Sequence, residues 1–482
     1  MAHDGGGAAA APLLGASTKD GKPPRRNMYA FGCAALASMT TILMGYNLAL
    51  MSGAQLFIRE DLGLSDGEIE VLAGSINVFM LLSILAAGWT ADTLGRRGTL
   101  VLANAFLMAG ALAMSLGASY ASLMAARFVT SVGAGFSIVV TSVYNAEISP
   151  PSMRGLLSSF LDIFISSGLL LSYVSNYAFA GMPVHLGWRA MYAAGVLPPV
   201  LLGLGVLAMP ESPRWLAMRG RHEEARAVLA RTSDTAAEAD LRLAEIKHAV
   251  KEAQAATGDG GGGSVWTELL VRPSPSVRRM LVCLVALHFF QQASGIDSLV
   301  LYSPLVFRKA GMSSNAGVLA VTVAWGVVKT LSILVASAFS DRLGRRPLLL
   351  ASTAGVAASM ASLGVTLSVR ETSAVTAAAS AAAVMAFMAA FSVGFGPVAG
   401  SYGTEIMPLR LRAQGASLGM AVNRLTCGVV RMTFLSLADA ITMPGCFFLY
   451  AGVAAAAFAF VYARMPETRG RSLEDMDELF AK

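Results

Sequence analysis

Carboxylates and guanidiniums recur in one order at four places in the chain. Gly88–Arg97 reads GWTADTLGRR and supplies Asp92, Arg96 and Arg97. Ser337–Arg346 reads SAFSDRLGRR and supplies Asp341, Arg345 and Arg346. Glu147 lies seven residues before Arg154 in EISPPSMR, and Glu405 lies seven before Arg412 in EIMPLRLR. A carboxylate held beside a guanidinium makes bidentate, charge-assisted hydrogen bonds. Pairs of modest net strength, partly open to solvent, can be made and broken repeatedly. The chemistry expected here is therefore that of a polar latch.

A second group is neutral. Gln291, Ser294 and Ser298 fall at i, i+3 and i+7, one face of a helix, with Gln292 about 100° round from Gln291. An amide offers two donors and an acceptor, which suits a hydroxyl-rich neutral ligand better than an ion. Asp297 stands close by, Gly295 weakens the helix, and Pro304 can break it again. The alternative use of such glutamines is bonding between helices. Charges also stand inside apolar runs: Arg127, Asp162 and Arg431. Each is expensive there, at roughly 2.5–3.5 kcal/mol on insertion scales, so each needs a partner or an outlet.

The elements that hold these residues follow from composition. Of 482 residues, 55% are hydrophobic and only 14% charged, and the mean hydropathy is +0.60. A bilayer core of ~30 Å requires ~20 helical residues. Spans of that kind are expected near 29–51, 69–91, 99–118, 121–146, 156–180 and 188–209, then near 280–307, 315–340, 347–368, 375–404, 415–437 and 445–464. The expected fold is an all-α membrane protein of twelve transmembrane helices. The alanine- and glycine-rich runs would let helices approach closely.

The net charge of +6 does not indicate nucleic acid. The basic residues cluster in alternate loops, at Lys19–Arg26, Arg96–Arg97, Arg154, Arg342–Arg346 and Arg410–Arg412, which by the positive-inside rule puts both termini in the cytoplasm. Cys33, Cys283, Cys427 and Cys446 show no spacing for a disulfide framework or a zinc site. No cofactor or metal site is expected, and no nucleophile–base set points to an enzyme.

The chain also repeats itself. Asp92 and Asp341 lie 249 positions apart, Glu147 and Glu405 lie 258 apart, and Pro210-Glu211-Ser212 and Pro466-Glu467-Thr468 lie 256 apart. Six spans per half return each half to its starting side, so the repeats are parallel, and a ligand would sit between them near the midplane. The expected organisation is a disordered cytoplasmic tail over 1–28, six-helix bundles over 29–209 and 280–464, a helical cytoplasmic linker over 210–279, and a tail over 465–482. In the linker, Leu243, Ile246 and Val250 form an apolar stripe, and Gly258–Gly263 is a flexible break.

Taken in order, the two Asp-x-x-Gly-Arg-Arg loops, PESPRWL at Pro210–Leu216, QQASGID at Gln291–Asp297 and PETRGRSLE at Pro466–Glu474 resemble the sugar porter family of the major facilitator superfamily. SYVSNYAF, HLGWR, GVLAMPESPRWL, HFFQQASGID and LEDMDELF resemble its plant polyol and monosaccharide transporter branch. The resemblance implies carriage of a polyol or sugar across a bilayer by alternating access, usually with protons. It places Gln291, Gln292, the Asp297 position and Asn423 in the ligand site. The plasma membrane is expected over the vacuolar membrane.

The chain departs from the family at several positions. Ser337 stands where the family has glycine, and Gly400 where it commonly has tryptophan. Asn47 stands where it has the aspartate that partners Arg127, and Asp162 where the polyol branch has glutamate. An amide cannot carry a proton. Either Asp162 takes over as proton carrier and partner of Arg127, or coupling is weak or absent; Asn47 argues for the latter. A transport-poor sugar sensor is the alternative function these departures keep open.

Overall fold

The computed structural model describes residues 27–150, 154–258, 269, 271, 273–312, 314–369, 373–407, 411–468 and 480. The expected N-terminal tail, the glycine break and most of the C-terminal tail lie outside the described residues.

Helix α1 spans Met28–Leu62. The Asn27 side chain caps its first turn by accepting from the amides of Tyr29 and Ala30, and Gly63 ends it in the left-handed region. Helix α2 spans Asp66–Leu116 and opens on a capping box made by Ser65 and Glu68. It contains two of the expected spans. Its arms meet at Gly95, whose φ of 84° and ψ of 167° reverse the chain. The other elements of the first half are α3 (Tyr120–Ile148), α4 (Arg154–Phe179), α5 (Val184–Ala194) and α6 (Leu197–Leu207). Helices α5 and α6 share the single span expected at 188–209, divided where Pro198 and Pro199 follow Gly195.

The linker carries α7 (Pro213–Met218), α8 (His222–Thr232) and α9 (Ala236–Gly258). Leu216, Ala225, Leu229, Ala239 and Leu243 bury one another in a small core of their own, with Ile246 packed against it. The linker is thus a folded unit.

The second half holds α10 (Pro275–Ala293), α11 (Ile296–Lys309), α12 (Asn315–Leu343), α13 (Arg345–Ser368), α14 (Ala374–Ala390), a π turn over Phe391–Phe395, α15 (Gly396–Ile406), α16 (Arg412–Ile441) and α17 (Met443–Arg464). Gly295, with φ 85°, separates α10 from α11, so the seventh span is broken there as its glycine suggested. Pro304 does not break it again; α11 runs through that residue. Among the described residues nine segments are long and apolar enough to cross a membrane. The doubled α2, with α4 and α16 at 26 and 30 residues, brings the crossings to the expected twelve.

Within the first half the helices touch backbone to backbone. A Cβ on Gly45 would stand 2.2 Å from the Ile165 carbonyl oxygen, and one on Gly168 would stand 2.0 Å from that of Ile42. This is the close approach that small residues allow between α1 and α4. Between halves, Gln55 on α1 donates to the Leu301 carbonyl at 2.9 Å, and Tyr173 on α4 donates to that of Val300 at 3.3 Å. Glu70 on α2 accepts from the backbone amides of Leu435 and Ser436 and, at 2.5 Å, from the Ser436 hydroxyl. These bonds lie far from the arginine loops: Glu70 is 25 residues, or about 37 Å of helix, before Gly95. The halves are therefore sealed on the side away from those loops.

Candidate functional site

A cavity of about 270 Å³ lies between the halves. It is just below the ~300–1,000 Å³ typical of small-ligand pockets. Met44, Leu48, Leu161, Asp162, Ser166 and Leu169 line it from the first half. The second half contributes His288, Gln291, Gln292, Asp297, Lys329, Phe391, Asn423 and Arg424.

Three of its amides form a chain. Gln292 Nε2 donates to Asn423 Oδ1 at 3.1 Å, and Asn423 Nδ2 donates to Gln291 Oε1 at 2.7 Å. Gln291 Nε2 then donates to the carbonyls of Phe395 at 3.0 Å and Gly396 at 2.8 Å. Those carbonyls are presented by the π turn, which forms where Pro397, lacking an N–H, follows two glycines in VGFGP. Gln292 Oε1 and His288 Nδ1 are left buried without a partner. One amide oxygen and one imidazole nitrogen of cavity-lining residues thus lack a partner, which a ligand hydroxyl reaching them would supply. Phe391 is the aromatic face among the described lining residues. The surroundings of Gly400, where the family's tryptophan is missing, lie outside them.

Asp297 is placed at the cavity wall, but Arg431 Nη2 reaches its Oδ1 at 2.5 Å and Cys427 donates to its Oδ2 at 2.8 Å. Arg431, with its side chain fully buried, thus has an acid for a partner. Arg127 does not. It is 1% exposed and, among the described residues, its side chain donates only to the Asn47 backbone carbonyl, at 3.4 Å, leaving Nε and Nη2 without partners. The Asn47 side chain turns back on its own helix, its Nδ2 bonding the Leu43 carbonyl. Asp162 is not the replacement partner for Arg127. It lines the cavity, with Lys329 as its charged neighbour.

At the first arginine loop, Arg96 holds Glu147 bidentately at 3.0 and 3.1 Å and reaches Asp92 at 3.0 Å. Glu147 also accepts from Ser212 at 2.5 Å. The Arg97 guanidinium meets the backbone carbonyls of Leu207 and Met209. These described pairs join helices of one half, with the linker added through Ser212. Linker docking extends further. Arg242 bonds the carbonyls of Glu147 and Ser149, and Trp215 and Arg219 bond that of Asp92. The side chains of Arg154, Asp341, Glu405 and Arg412 lie outside the described residues.

Two residues absent from the sequence-based site anchor both loops. Glu211 accepts from the backbone amides of Arg96 and Arg97 at 2.9 and 3.2 Å, and Glu467 accepts from those of Arg345 and Arg346, both at 3.0 Å. Arg346 also donates to the Tyr462 carbonyl at 2.7 Å. The repeated Pro-Glu-Ser/Thr was the available signal. Gly344, with φ 89° and ψ 159°, matches Gly95, and a Cβ on either glycine would press on the glutamate. Lys329, a lone charge in an apolar run, and Arg424, seven residues before Arg431 on the same helix, were also missed.

Two parallel six-helix halves around a polar cavity define the major facilitator architecture of an integral multi-pass membrane protein. The chain belongs to the Sugar (and other) transporter family, which it matches over residues 33–480. It is 49% identical over 472 residues to polyol transporter 5 of Arabidopsis thaliana, covering 95% of this chain and 88% of that protein. With putative polyol transporter 1 of the same plant, identity is 50% over 476 residues, covering 96% and 93%. Among solved structures, the proton:xylose symporter XylE bound to 6-bromo-6-deoxy-D-glucose superimposes with a TM-score of 0.77 at 25% identity, over 94% of this chain and 100% of that one. Inward-open XylE from E. coli gives 0.79 at 24% identity with the same coverage, a likeness of fold.

Proposed function

We propose that this chain carries polyols or monosaccharides across a membrane by alternating access, binding them in the cavity between its halves. The observation that carries this reading is the amide chain of Gln291, Gln292 and Asn423. It is anchored on the Phe395 and Gly396 carbonyls and leaves Gln292 Oε1 without a partner that a hydroxyl could supply. The relatives named above support it, being transporters, and the sensor alternative finds no support in them.

In this reading the moving bodies are the bundles over 29–209 and 280–464, joined by the linker over 210–279. Both termini face the cytoplasm, and the plasma membrane is the site of action. The seal at Gln55, Tyr173 and Glu70 is then the outer one, and the cavity opens inward. The clusters around Arg96 and Glu147, and around Arg345, Arg346 and Glu467, brace the inner ends of the helices. The remaining members of the inner gate are Asp341, Glu405, Arg154 and Arg412. A competition panel of sorbitol, mannitol, xylitol, inositol, xylose and glucose in a transport-deficient yeast tests the substrate class. Saturable uptake inhibited by polyols or monosaccharides is expected, and no uptake of any of them would overturn the reading.

A further inference from the structure

Asp162 on α4 and Lys329 on α12 belong to opposite halves, and both line the cavity. Lys329 is the charge that Asp162 faces; Lys329 itself faces Asp297 first, then Arg431, then Asp162, and no ion pair joins it to Asp162 among the described residues. An acid this deep in a membrane protein calls for a functional reason and a counter-charge. The other charged groups around the cavity are accounted for differently. Both oxygens of Asp297 are bonded, by Arg431 and Cys427, so that acid is committed to a structural pair. Arg424 on α16 and the imidazole of His288 on α10 complete the titratable and charged lining. From α1 and α3, Asn47 and Arg127 meet each other away from the cavity.

The helices that carry the pair also form a contact between the halves. Tyr173 on α4 packs on Trp325 of α12 with ring centroids 5.5 Å apart, on the sealed side. From that contact toward the arginine loops, Lys329 is about one turn away and Asp162 about three turns. Rocking about the Tyr173–Trp325 contact therefore changes the separation of the two charges. Closing the loop side brings α4 toward α12 around Lys329, and opening it parts them.

We propose that Asp162 is the proton-binding group of this carrier and Lys329 its counter-charge, in place of the acid that the chain lacks at Asn47. The proposal rests on the carrier reading above. With the cavity open to the proton-rich side, the Asp162 carboxylate takes up a proton as substrate binds. Neutral Asp162 no longer holds Lys329, and the halves rock. The proton leaves to the other side with the substrate, and the carboxylate pairs again with Lys329 as the empty carrier returns. One proton is bound and one released per cycle.

The test uses the full-length chain in liposomes with radiolabelled sorbitol, measuring counterflow exchange and accumulation against an imposed proton gradient. Counterflow reports the carrier, and accumulation reports coupling. Wild type is expected to accumulate sorbitol in an uncoupler-sensitive way, up to about fiftyfold at ~100 mV. Asp162→Asn should lower accumulation to onefold while counterflow continues at a reduced rate. Asp162→Glu should restore accumulation with a shifted pH profile, and Lys329→Met should shift the pH profile of counterflow. Sorbitol counterflow without gradient-driven accumulation in wild type, or full accumulation by Asp162→Asn, would overturn the proposal and leave the carrier reading standing. If Asp162→Asn fails to insert, an Asp162→Glu pH profile identical to wild type overturns it instead. Absence of counterflow in wild type with sorbitol and with every other polyol and sugar of the panel would fault the carrier reading itself.

Discussion

Arg127 and Arg431 are both fully enclosed guanidiniums, one in each half, and their surroundings are opposite. Arg431 has the Asp297 carboxylate at 2.5 Å, while Arg127 has a single backbone carbonyl at 3.4 Å and two nitrogens with no partner. The two cations also repel each other. Where the family pairs Arg127 with an acid on the first helix, this chain places the amide of Asn47. The second half instead contains a closed acid–base pair beside the cavity. For these two guanidiniums, compensation thus stands in the second half and, among the described residues, is missing in the first. The helix-1 site therefore cannot titrate, and the candidate for titration moves to Asp162.

The largest effect should come from breaking the compensated side. Arg431→Ala leaves Asp297 buried and unpaired, which costs about 3–5 kcal/mol, and a thermal unfolding scan in detergent should show a large drop in Tm. The double variant Asp297→Asn, Arg431→Met should recover most of that loss, because an apolar or neutral replacement of a buried pair is often near neutral. No recovery would mean that Asp297 has another essential partner.

Repairing the other side should work in the opposite direction. Asn47→Asp supplies Arg127 with a carboxylate, and a charge-assisted bond of this kind contributes about 1.5–3 kcal/mol. The same scan should show a raised Tm, and an unchanged or lower one would mean that Arg127 is already satisfied. The smallest effect tests the equivalence of the halves at their loops. Glu211→Gln and Glu467→Gln each weaken bonds to two consecutive loop amides, at about 1 kcal/mol apiece. Matched losses are expected, and a large difference would break the symmetry inferred from Gly95 and Gly344.

Much of this was legible in the sequence because it is local or periodic. The twelve spans follow from hydropathy, the parallel halves from the repeated motifs, and the break at Gly295 from the glycine itself. The Gln291–Gln292 pair announced a polar face by its chemistry alone, and that face lines the cavity. What was not legible depends on helices distant in sequence. Asp297 and Arg431 are 134 residues apart, and only the packing of α11 against α16 joins them. A partial signal existed, since Asn423, Cys427 and Arg431 recur every fourth residue and so share one helix face. Pro304 misled because a proline in a packed membrane helix can be accommodated by its neighbours. Lys329 was overlooked as a lone charge in an apolar run; the acids it faces, Asp297 and Asp162, stand on helices distant in sequence.

The central claim is that the amide chain in the cavity binds the transported molecule. The most direct measurement is sorbitol counterflow by reconstituted wild type and Gln292→Ala over a range of substrate concentrations. Removing a buried donor and acceptor should cost about 1–3 kcal/mol, so half-saturation should rise roughly tenfold to a hundredfold with the protein still folded and inserted. Unchanged half-saturation and rate in correctly inserted Gln292→Ala would contradict the account.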